Sequence, residues 1–307
     1  MQLTQRLGRK PPGCLCLQVW DQRLFPARMT VRTVVNEVST VNGDEPMAQR
    51  QPHPEEVAAG VFQLETGHGI TETNVYLVRS GSDWVLVDAA WPNRAPIIQA
   101  VAETLFGTGT RPAAILLTHF HPDHSGSAPD LARLWQLPVQ VHPDELPLAR
   151  GGYDAAYAHP LDRWVVAPLL RLVPRRTLEA MQARNSLEGI AVAFNPDAAV
   201  PALPDWQCIP TPGHTPGHVS YFRPEDRVLI SGDAVVTVQL NSLTGPFLAR
   251  PGLSGPPWYT TWNRRAATES IKRLARLQPT VLAGGHGKPM TGTETAQALR
   301  AFAGLPI

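Results

Sequence analysis

The sequence is poor in cysteine, in net charge and in long apolar runs, and each shortage excludes a class of protein. Three cysteines in 307 residues are too few and too unevenly spaced for a disulfide framework or a CxxC zinc site. Lys and Arg number 27 against 26 Asp and Glu, a formal net charge of +1, and they are scattered rather than clustered, so we expect no basic surface for nucleic acid. No stretch reaches about 18 uncharged apolar residues, so we expect no membrane span.

The N-terminal segment lacks the features of a secretory signal. It is basic, but Pro11, Pro12 and Gly13 interrupt it before an apolar region develops, so we expect no signal peptide. Scarce cysteine fits a reducing compartment. The sequence therefore predicts a cytoplasmic protein.

The chain divides by composition into two parts. Residues 1–56 are polar, contain proline and show no clear period, which predicts a loosely ordered N-terminal extension. Residues 57–307 alternate β-rich runs with helical patterns at 93–105, 128–135, 262–277 and 293–302, which is typical of an α/β or α+β domain. The β-rich runs form two series: VFQLET, NVYLV, DWVLVDAA and AAILL, then WQCIP, HVSYF, RVLISGD and TVLAGGH.

A different pattern, at about residues 143–205, interrupts these two series. Its apolar residues, Leu169 and Leu170 among them, suggest short helices that Pro168 and Pro174 break or kink. We interpret it as a helical insertion packed on the core. The alternative is a lid whose apolar side chains face the substrate, because the segment falls between two candidate ligand loops.

Residues 118–126, THFHPDHSG, place three imidazoles and a carboxylate directly after the apolar run AAILL. His119 and His121 lie two positions apart, so they face the same way in an extended segment. Asp123 and His124 lie on the turn beyond. One metal ion could hardly accept all four groups without strain, whereas two neighbouring ions could.

Three more candidate ligands follow β-like runs and lie among small residues: His214 in CIPTPGHTPGH, Asp233 in VLISGDAVV and His286 in TVLAGGHGKP. Strands hold such positions, and glycine lets the backbone approach an ion without a side-chain clash. The total of five histidines and two aspartates suffices for two four-coordinate ions that share a carboxylate and a water. A loop of hydrogen-bonded histidines would explain any single His but not this ordered set.

The pattern H-x-H-x-D-H, followed by a distant His, Asp and His, resembles the metallo-β-lactamase superfamily of binuclear hydrolases over roughly residues 60–292. The resemblance implies an α+β fold, a four-layer αβ/βα sandwich with a helical insertion and with the site at one edge between the sheets. It also implies that Asp88, at the end of WVLVD, braces the metal loops without binding metal.

The same resemblance divides the candidate ligands into two metal sites joined by a bridging carboxylate: His119, His121 and His214; Asp123, His124 and His286; and Asp233 as the bridge. Imidazole and carboxylate ligands favour two zinc ions, and iron or manganese suits the same mixture. Asp123 and Asp233 are the candidate catalytic residues, because either could handle the proton of the nucleophile.

Two divalent ions about 3.5–4 Å apart lower the pKa of a bridging water. We therefore expect a metal-bridging hydroxide that cleaves a small ester, lactone or thioester, and the apolar insertion favours a substrate with an apolar portion. True β-lactamases generally lack the bridging aspartate, so antibiotic hydrolysis is not expected. A lactonase would place a tyrosine near the metals, for which Tyr153, Tyr157 and Tyr259 are candidates.

Other functions are also compatible with parts of this pattern. One is a mononuclear iron oxygenase like persulfide dioxygenase, and another is a phosphodiesterase or ribonuclease of the same superfamily, which the absence of a basic stripe disfavours. A non-catalytic binding module is disfavoured by the full ligand set. We expect a small-molecule substrate, no nucleic acid partner and no membrane span, and a homodimer is left open.

Overall fold

The structure, a computed structural model, describes residues 53–151, 174, 176, 186–242 and 250–306. Its first sheet has seven strands in sequence order, antiparallel from β1 to β4 and parallel from β4 to β7. The strands are β1 Glu55–Ala58, β2 Val61–Thr66, β3 Thr73–Ser80, β4 Asp83–Val87, β5 Ala114–Leu116, β6 Val139–Val141 and β7 Ala191–Ala193.

The second sheet has five strands in the order β14-β13-β10-β9-β8, and β10 and β13 run parallel. A separate two-stranded sheet pairs β11 with β12. These strands are β8 Gln207–Pro210, β9 Val219–Arg223, β10 Val228–Gly232, β11 Val236–Val238, β12 Pro251–Ser254, β13 Val281–Gly284 and β14 Met290–Thr291.

The helices of the described residues have recognisable local signals. Asn263 accepts a hydrogen bond from the Ala266 N–H at 3.1 Å and so caps the longest of them. Proline stands in the first turn of the first four, where its missing N–H costs nothing. They are α1 Ala95–Phe106, α2 Pro122–Ser125, α3 Ala128–Trp135, α4 Leu146–Ala149, α5 Arg264–Arg276 and α6 Glu294–Phe302, with 3₁₀ turns at Gly69–Thr71 and Pro143–Glu145.

Alternate residues of the central strands bury both faces of the first sheet. Leu77 and Leu86 face a cluster that includes Ile98 of α1 and Leu131 of α3. Their neighbours on the same strands face the opposite way, towards the second sheet. Near-continuous apolar strands such as NVYLV follow from this double burial.

The second sheet is buried on both faces in the same manner. Tyr221 and Ile230 pack between the two sheets, whereas Leu229 packs on the other face with Leu274 of α5 and Leu299 of α6. The layers are therefore helices, sheet, sheet and helices. This order confirms the predicted α+β class and the αβ/βα sandwich.

Two predicted boundaries differ from the structure. Strand β1 begins at Glu55, before the predicted boundary at 57, because Glu55 and Glu56 pair with Gln63 and Phe62 of β2. Strand β7 lies within the predicted insertion at 143–205 but pairs with β6, so the end of that segment belongs to the sheet. Its sequence, AVA, has weak β propensity, and its pairing comes from the neighbouring strand.

The remaining predictions for these segments concern residues that the structure does not describe. They are the loosely ordered extension over residues 1–52, and the helices or lid over residues 152–173, 175 and 177–185, which include Leu169, Leu170, Tyr153 and Tyr157. Among the helices of the described residues, none combines the length and the apolar character needed to cross a bilayer.

Candidate metal centre

Candidate ligands lie where strands of both sheets end. The parallel pairs β4–β5 and β10–β13 each point their carboxyl ends to one edge, which is where open α/β sheets place ligand sites. His119 follows β5, Asp233 follows β10 directly and His286 follows β13. His214 lies on the turn between β8 and β9.

Three histidines form a first group, which we call the three-histidine group: His119, His121 and His214. Nε2 of His119 lies 3.1 Å from Nδ1 of His121, which lies 2.9 Å from Nε2 of His214. The three nitrogen atoms converge within 4.8 Å of one another. This arrangement fits three ligands of one metal ion.

Two carboxylates and two imidazoles form the second group, which we call the carboxylate group: Asp123, His124, Asp233 and His286. Oδ2 of Asp123 lies 3.3 Å from Nε2 of His286 and 3.7 Å from Nε2 of His124. Their ligand atoms also lie within 4.8 Å of one another.

Asp233 is the carboxylate that lies against both groups. Its Oδ2 atom lies 3.4 Å from Nε2 of His214, in the three-histidine group, and 3.5 Å from Nε2 of His286. Its Oδ1 atom lies 3.3 Å from Nε2 of His124. The arrangement suits a carboxylate shared between two ions.

Hydrogen bonds behind the ligands decide which imidazole nitrogen faces the site. The Thr118 hydroxyl donates to Asp88 at 2.9 Å, so it accepts from Nδ1–H of His119 at 3.0 Å. Asp88 accepts from Nδ1–H of His124 at 2.8 Å, and the Glu72 carbonyl accepts from Nδ1–H of His286 at 2.6 Å. Each Nε2 therefore faces the site and offers a lone pair to a metal ion once any proton on it is lost.

Two buried atoms in the carboxylate group have no hydrogen-bond partner among the described residues. They are Nε2 of His124 and Oδ1 of Asp233, which face each other at 3.3 Å. The repulsion between an imidazole lone pair and a carboxylate oxygen at this distance is offset by a proton on Nε2, which the raised pKa of His124 favours, or by a metal ion that replaces that proton. The donor set and these two atoms therefore fit a metal ion.

Burial and neighbouring charges divide the pKa values of the histidines into two classes. Burial, with the nearby His214, lowers the pKa of His121 to about 3, and burial lowers that of His119 well below its usual range. Burial also opposes charge on His286, but Asp233 and Asp123 outweigh it and raise its pKa to about 10. Asp233 likewise raises the pKa of His124 against burial.

These shifts make metal affinity depend on pH in a defined direction. His286, with its pKa near 10, holds a proton at neutral pH in the metal-free protein, and a metal ion must displace that proton. We expect affinity at the carboxylate group to rise with pH up to about pH 10, where His286 loses that proton. Titration calorimetry in buffers of different ionisation enthalpy measures the proton release, and heat independent of the buffer would contradict the expectation.

Gly285 leaves room for the carboxylate group. A Cβ atom at this position would lie 2.6 Å from Cε1 of His124 and would also meet Oδ1 of Asp233. We expect Gly285→Ala to weaken metal binding at least about tenfold, because it displaces two ligands. Metal content after dialysis measures this effect. Gly255→Ala is the matched control. Among the residues that the structure describes, its methyl group would meet only the Ile271 side chain, at 3.2 Å. Equal metal loss in both variants would contradict the argument.

A cavity of about 640 Å³ opens onto these ligands. Asp123, Asp233, His121, His214 and His286 line it on one side. The described part of its lining contains no Lys or Arg. Its apolar and aromatic side chains are those of Trp91, Val238, Leu240, Pro257, Trp258 and Tyr259. The cavity is large enough for a small organic substrate.

The structure places every predicted ligand in one of the two groups and adds residues that the sequence did not reveal. His218 accepts a hydrogen bond from the Asp233 backbone N–H at 3.1 Å. Glu145 is buried against both ligand loops, yet it stands in the polar turn HPDE, where no sequence signal separates it from the exposed Asp144. The Thr118 hydroxyl was also missed.

Comparisons with known proteins agree with this geometry. A family model for the metallo-beta-lactamase superfamily matches residues 68–286. The probable metallo-hydrolase YflN of Bacillus subtilis (strain 168) is 40% identical over 240 residues, which cover 76% of this chain and 88% of that protein. An atrochrysone carboxyl ACP thioesterase of Pseudocercospora fijiensis is 27% identical over 178 residues, which cover 58% of this chain and 40% of that protein.

A solved structure supports the fold independently. The metallo-beta-lactamase family protein TTHA1429 from Thermus thermophilus superimposes with a TM-score of 0.55 at 23% identity, covering 81% of this chain and 80% of that one. The curated relatives support a metal-dependent hydrolase in general, and the His and Asp cluster supports divalent metal binding. The chain belongs to the metallo-β-lactamase superfamily.

Proposed function

We propose that the protein is a binuclear metal-dependent hydrolase of a small, uncharged ester, lactone or thioester. One observation carries the proposal: Asp233 lies within 3.5 Å of imidazoles from both groups, at a cavity with largely apolar walls. A structural metal site would be closed by protein ligands, whereas this one faces a cavity.

The three-histidine group would hold one divalent ion and the carboxylate group the other, with Asp233 shared. Zinc is the first candidate for this mixture of imidazole and carboxylate, with iron or manganese as alternatives. When bound, two such ions activate water and polarise a carbonyl oxygen. The protein's part is to hold the ligands, orient the substrate and handle protons.

Asp123 and Asp233 are suited to handle the proton of the attacking water. Burial opposes their ionisation, but His124 and His286 outweigh it and hold both carboxyl pKa values below the usual range. Both carboxylates therefore stay ionised at neutral pH, and their oxygen atoms can accept a hydrogen bond from that water. Asp123 has the more accessible side chain, 19% exposed against 3% for Asp233, so it meets a substrate more directly.

Among the described residues, one tyrosine lines the cavity, Tyr259. Burial and the Asp233 and Asp123 carboxylates raise the pKa of its hydroxyl, so it stays protonated at neutral pH. A protonated phenol can donate a hydrogen bond to the carbonyl or leaving-group oxygen of an ester. This supports an oxygen or sulfur acyl substrate.

The lining also supports an uncharged substrate over a phosphodiester. Phosphate recognition normally uses Arg or Lys, and neither belongs to the part of the lining that the structure describes. Trp91, Leu240 and Trp258 instead offer apolar contact. The relative named as an acyl carrier protein thioesterase supports keeping thioesters in the proposal.

Metal content and a substrate panel test the proposal. We expect about two divalent ions per chain by plasma mass spectrometry, because the ligand groups form two sets. The same sample should hydrolyse members of an ester, lactone and thioester panel, with a phosphodiester as the control that stays intact. A single iron with oxygen consumption would instead indicate the oxygenase alternative, and would overturn the proposal.

A further inference from the structure

Glu145 is a buried carboxylate that belongs to neither ligand group. It ends the 3₁₀ turn Pro143–Glu145 and is 1% exposed. A carboxylate removed from water loses its hydration and persists only where hydrogen bonds or charges replace it. The groups that hydrogen-bond to the Glu145 carboxylate in place of water therefore indicate its role.

Two backbone N–H groups donate to its two oxygen atoms. Phe120 N–H donates to Oε2 at 2.7 Å, and Gly217 N–H donates to Oε1 at 2.8 Å. These are short, charge-assisted hydrogen bonds. Phe120 stands between His119 and His121, so the first bond holds the backbone between two members of the three-histidine group.

The second bond reaches the loop of the other sheet. Gly217 lies on the same turn between β8 and β9 as His214, the third member of the three-histidine group. The Glu145 carboxylate therefore joins the loop after β5, in the first sheet, to the loop before β9, in the second. No hydrogen bond in the described residues links it to the carboxylate group.

The contact requires a residue without a side chain at position 217. A Cβ atom there would lie 2.9 Å from Cγ of Glu145 and 2.8 Å from its backbone nitrogen. A side chain at this position would push the loop away from the carboxylate. The close approach thus depends on glycine at 217 and an acid at 145 together.

We infer that Glu145 is a positioning residue that sets the separation of His119 and His121 from His214, and thereby the metal affinity of the three-histidine group. The inference rests on the proposed function, because it requires the two groups to bind metal. Residues that orient metal ligands typically change metal affinity by about 10- to 100-fold when they are replaced. Glu145 acts on one group only.

Glu145→Gln tests the inference, because the amide keeps one acceptor oxygen and turns an N–H₂ towards the other backbone N–H. Zinc affinity is measured by competition with a chromophoric chelator in two backgrounds. His286→Ala leaves the three-histidine group, and His214→Ala leaves the carboxylate group. We expect Glu145→Gln to weaken zinc binding about 10- to 100-fold in the first background and to leave the second unchanged.

A second variant and a control keep the outcomes distinct. Gly217→Ala should reproduce the selective loss, and it carries the test if Glu145→Gln does not fold. Asp144→Asn removes a neighbouring carboxylate that is 66% exposed, and it should bind zinc like the wild type. Equal weakening in both backgrounds, or none in either, would overturn the positioning role. A wild type that binds no metal would overturn the proposed function as well.

Discussion

Asp233→Asn is expected to lower hydrolytic activity by more than about 100-fold and to reduce metal content at both groups, because replacing even a residue behind a ligand costs about 10- to 100-fold. The carboxylate lies within 3.5 Å of His124, His214 and His286. Asparagine keeps the shape but loses the negative charge, and its N–H₂ would face imidazole nitrogen atoms. Activity assays and metal analysis of the dialysed variant measure the effect.

Asp226→Asn is the matched control for this substitution. Asp226 precedes β10, at the opposite end of the strand from Asp233, and pairs with Arg223 at 2.7 Å on the surface. Loss of such a pair costs about 0.2–1 kcal/mol of unfolding free energy, so the control should keep its metals and activity. Full activity of Asp233→Asn with two metals retained would contradict the shared-ligand assignment.

Asp88→Asn is expected to lower activity by about 10²- to 10⁴-fold through the tautomer of His124. Asp88 accepts from Thr118 N–H at 2.8 Å and from Nδ1–H of His124 at 2.8 Å. An amide can keep the first bond but presents N–H₂ to His124. The imidazole would then carry its proton on Nε2 and lose the lone pair that faces the carboxylate group.

The same substitution should cost stability less than activity. A buried donor left without its partner costs about 1–3 kcal/mol of unfolding free energy, which denaturant unfolding of the metal-free protein measures. Asp83→Asn, at the exposed start of the same strand β4, is the control and should change neither property. Asp88→Asn with unchanged zinc affinity at the carboxylate group would show that the aspartate does not set the tautomer.

Much of the fold could be predicted from local sequence pattern. VFQLET forms β2 with the predicted ends, and the helical pattern at 128–135 is α3. Strands β1, β6, β7, β11, β12 and β14 were not predicted. Each has four residues or fewer, too few to show an alternating pattern. In addition, β7 consists of AVA and β12 contains proline and glycine, which favour strands only weakly. Pairing with a neighbouring strand decides such segments.

The residues of the candidate site also divide into those that the local sequence identifies and those that it does not. His119, His121, Asp123 and His124 could be identified because they form one local motif after an apolar strand. Glu145 could not, because its role depends on the Phe120 and Gly217 N–H groups, which stand 25 and 72 positions away. Nothing in the turn HPDE indicates which acidic residue is buried.

By itself, the sequence determined the kinds of ligand, their order along the chain and the strands that carry them, because hydrophobic period and ligand chemistry are local properties. Only the tertiary structure decided that Asp233 meets imidazoles of both groups, that Asp88 and Glu72 direct the imidazole nitrogens, and that Glu145 joins two loops. Those relations depend on distances of about 3 Å between residues far apart in sequence. The packing of two sheets against each other creates such distances, and no local pattern encodes them.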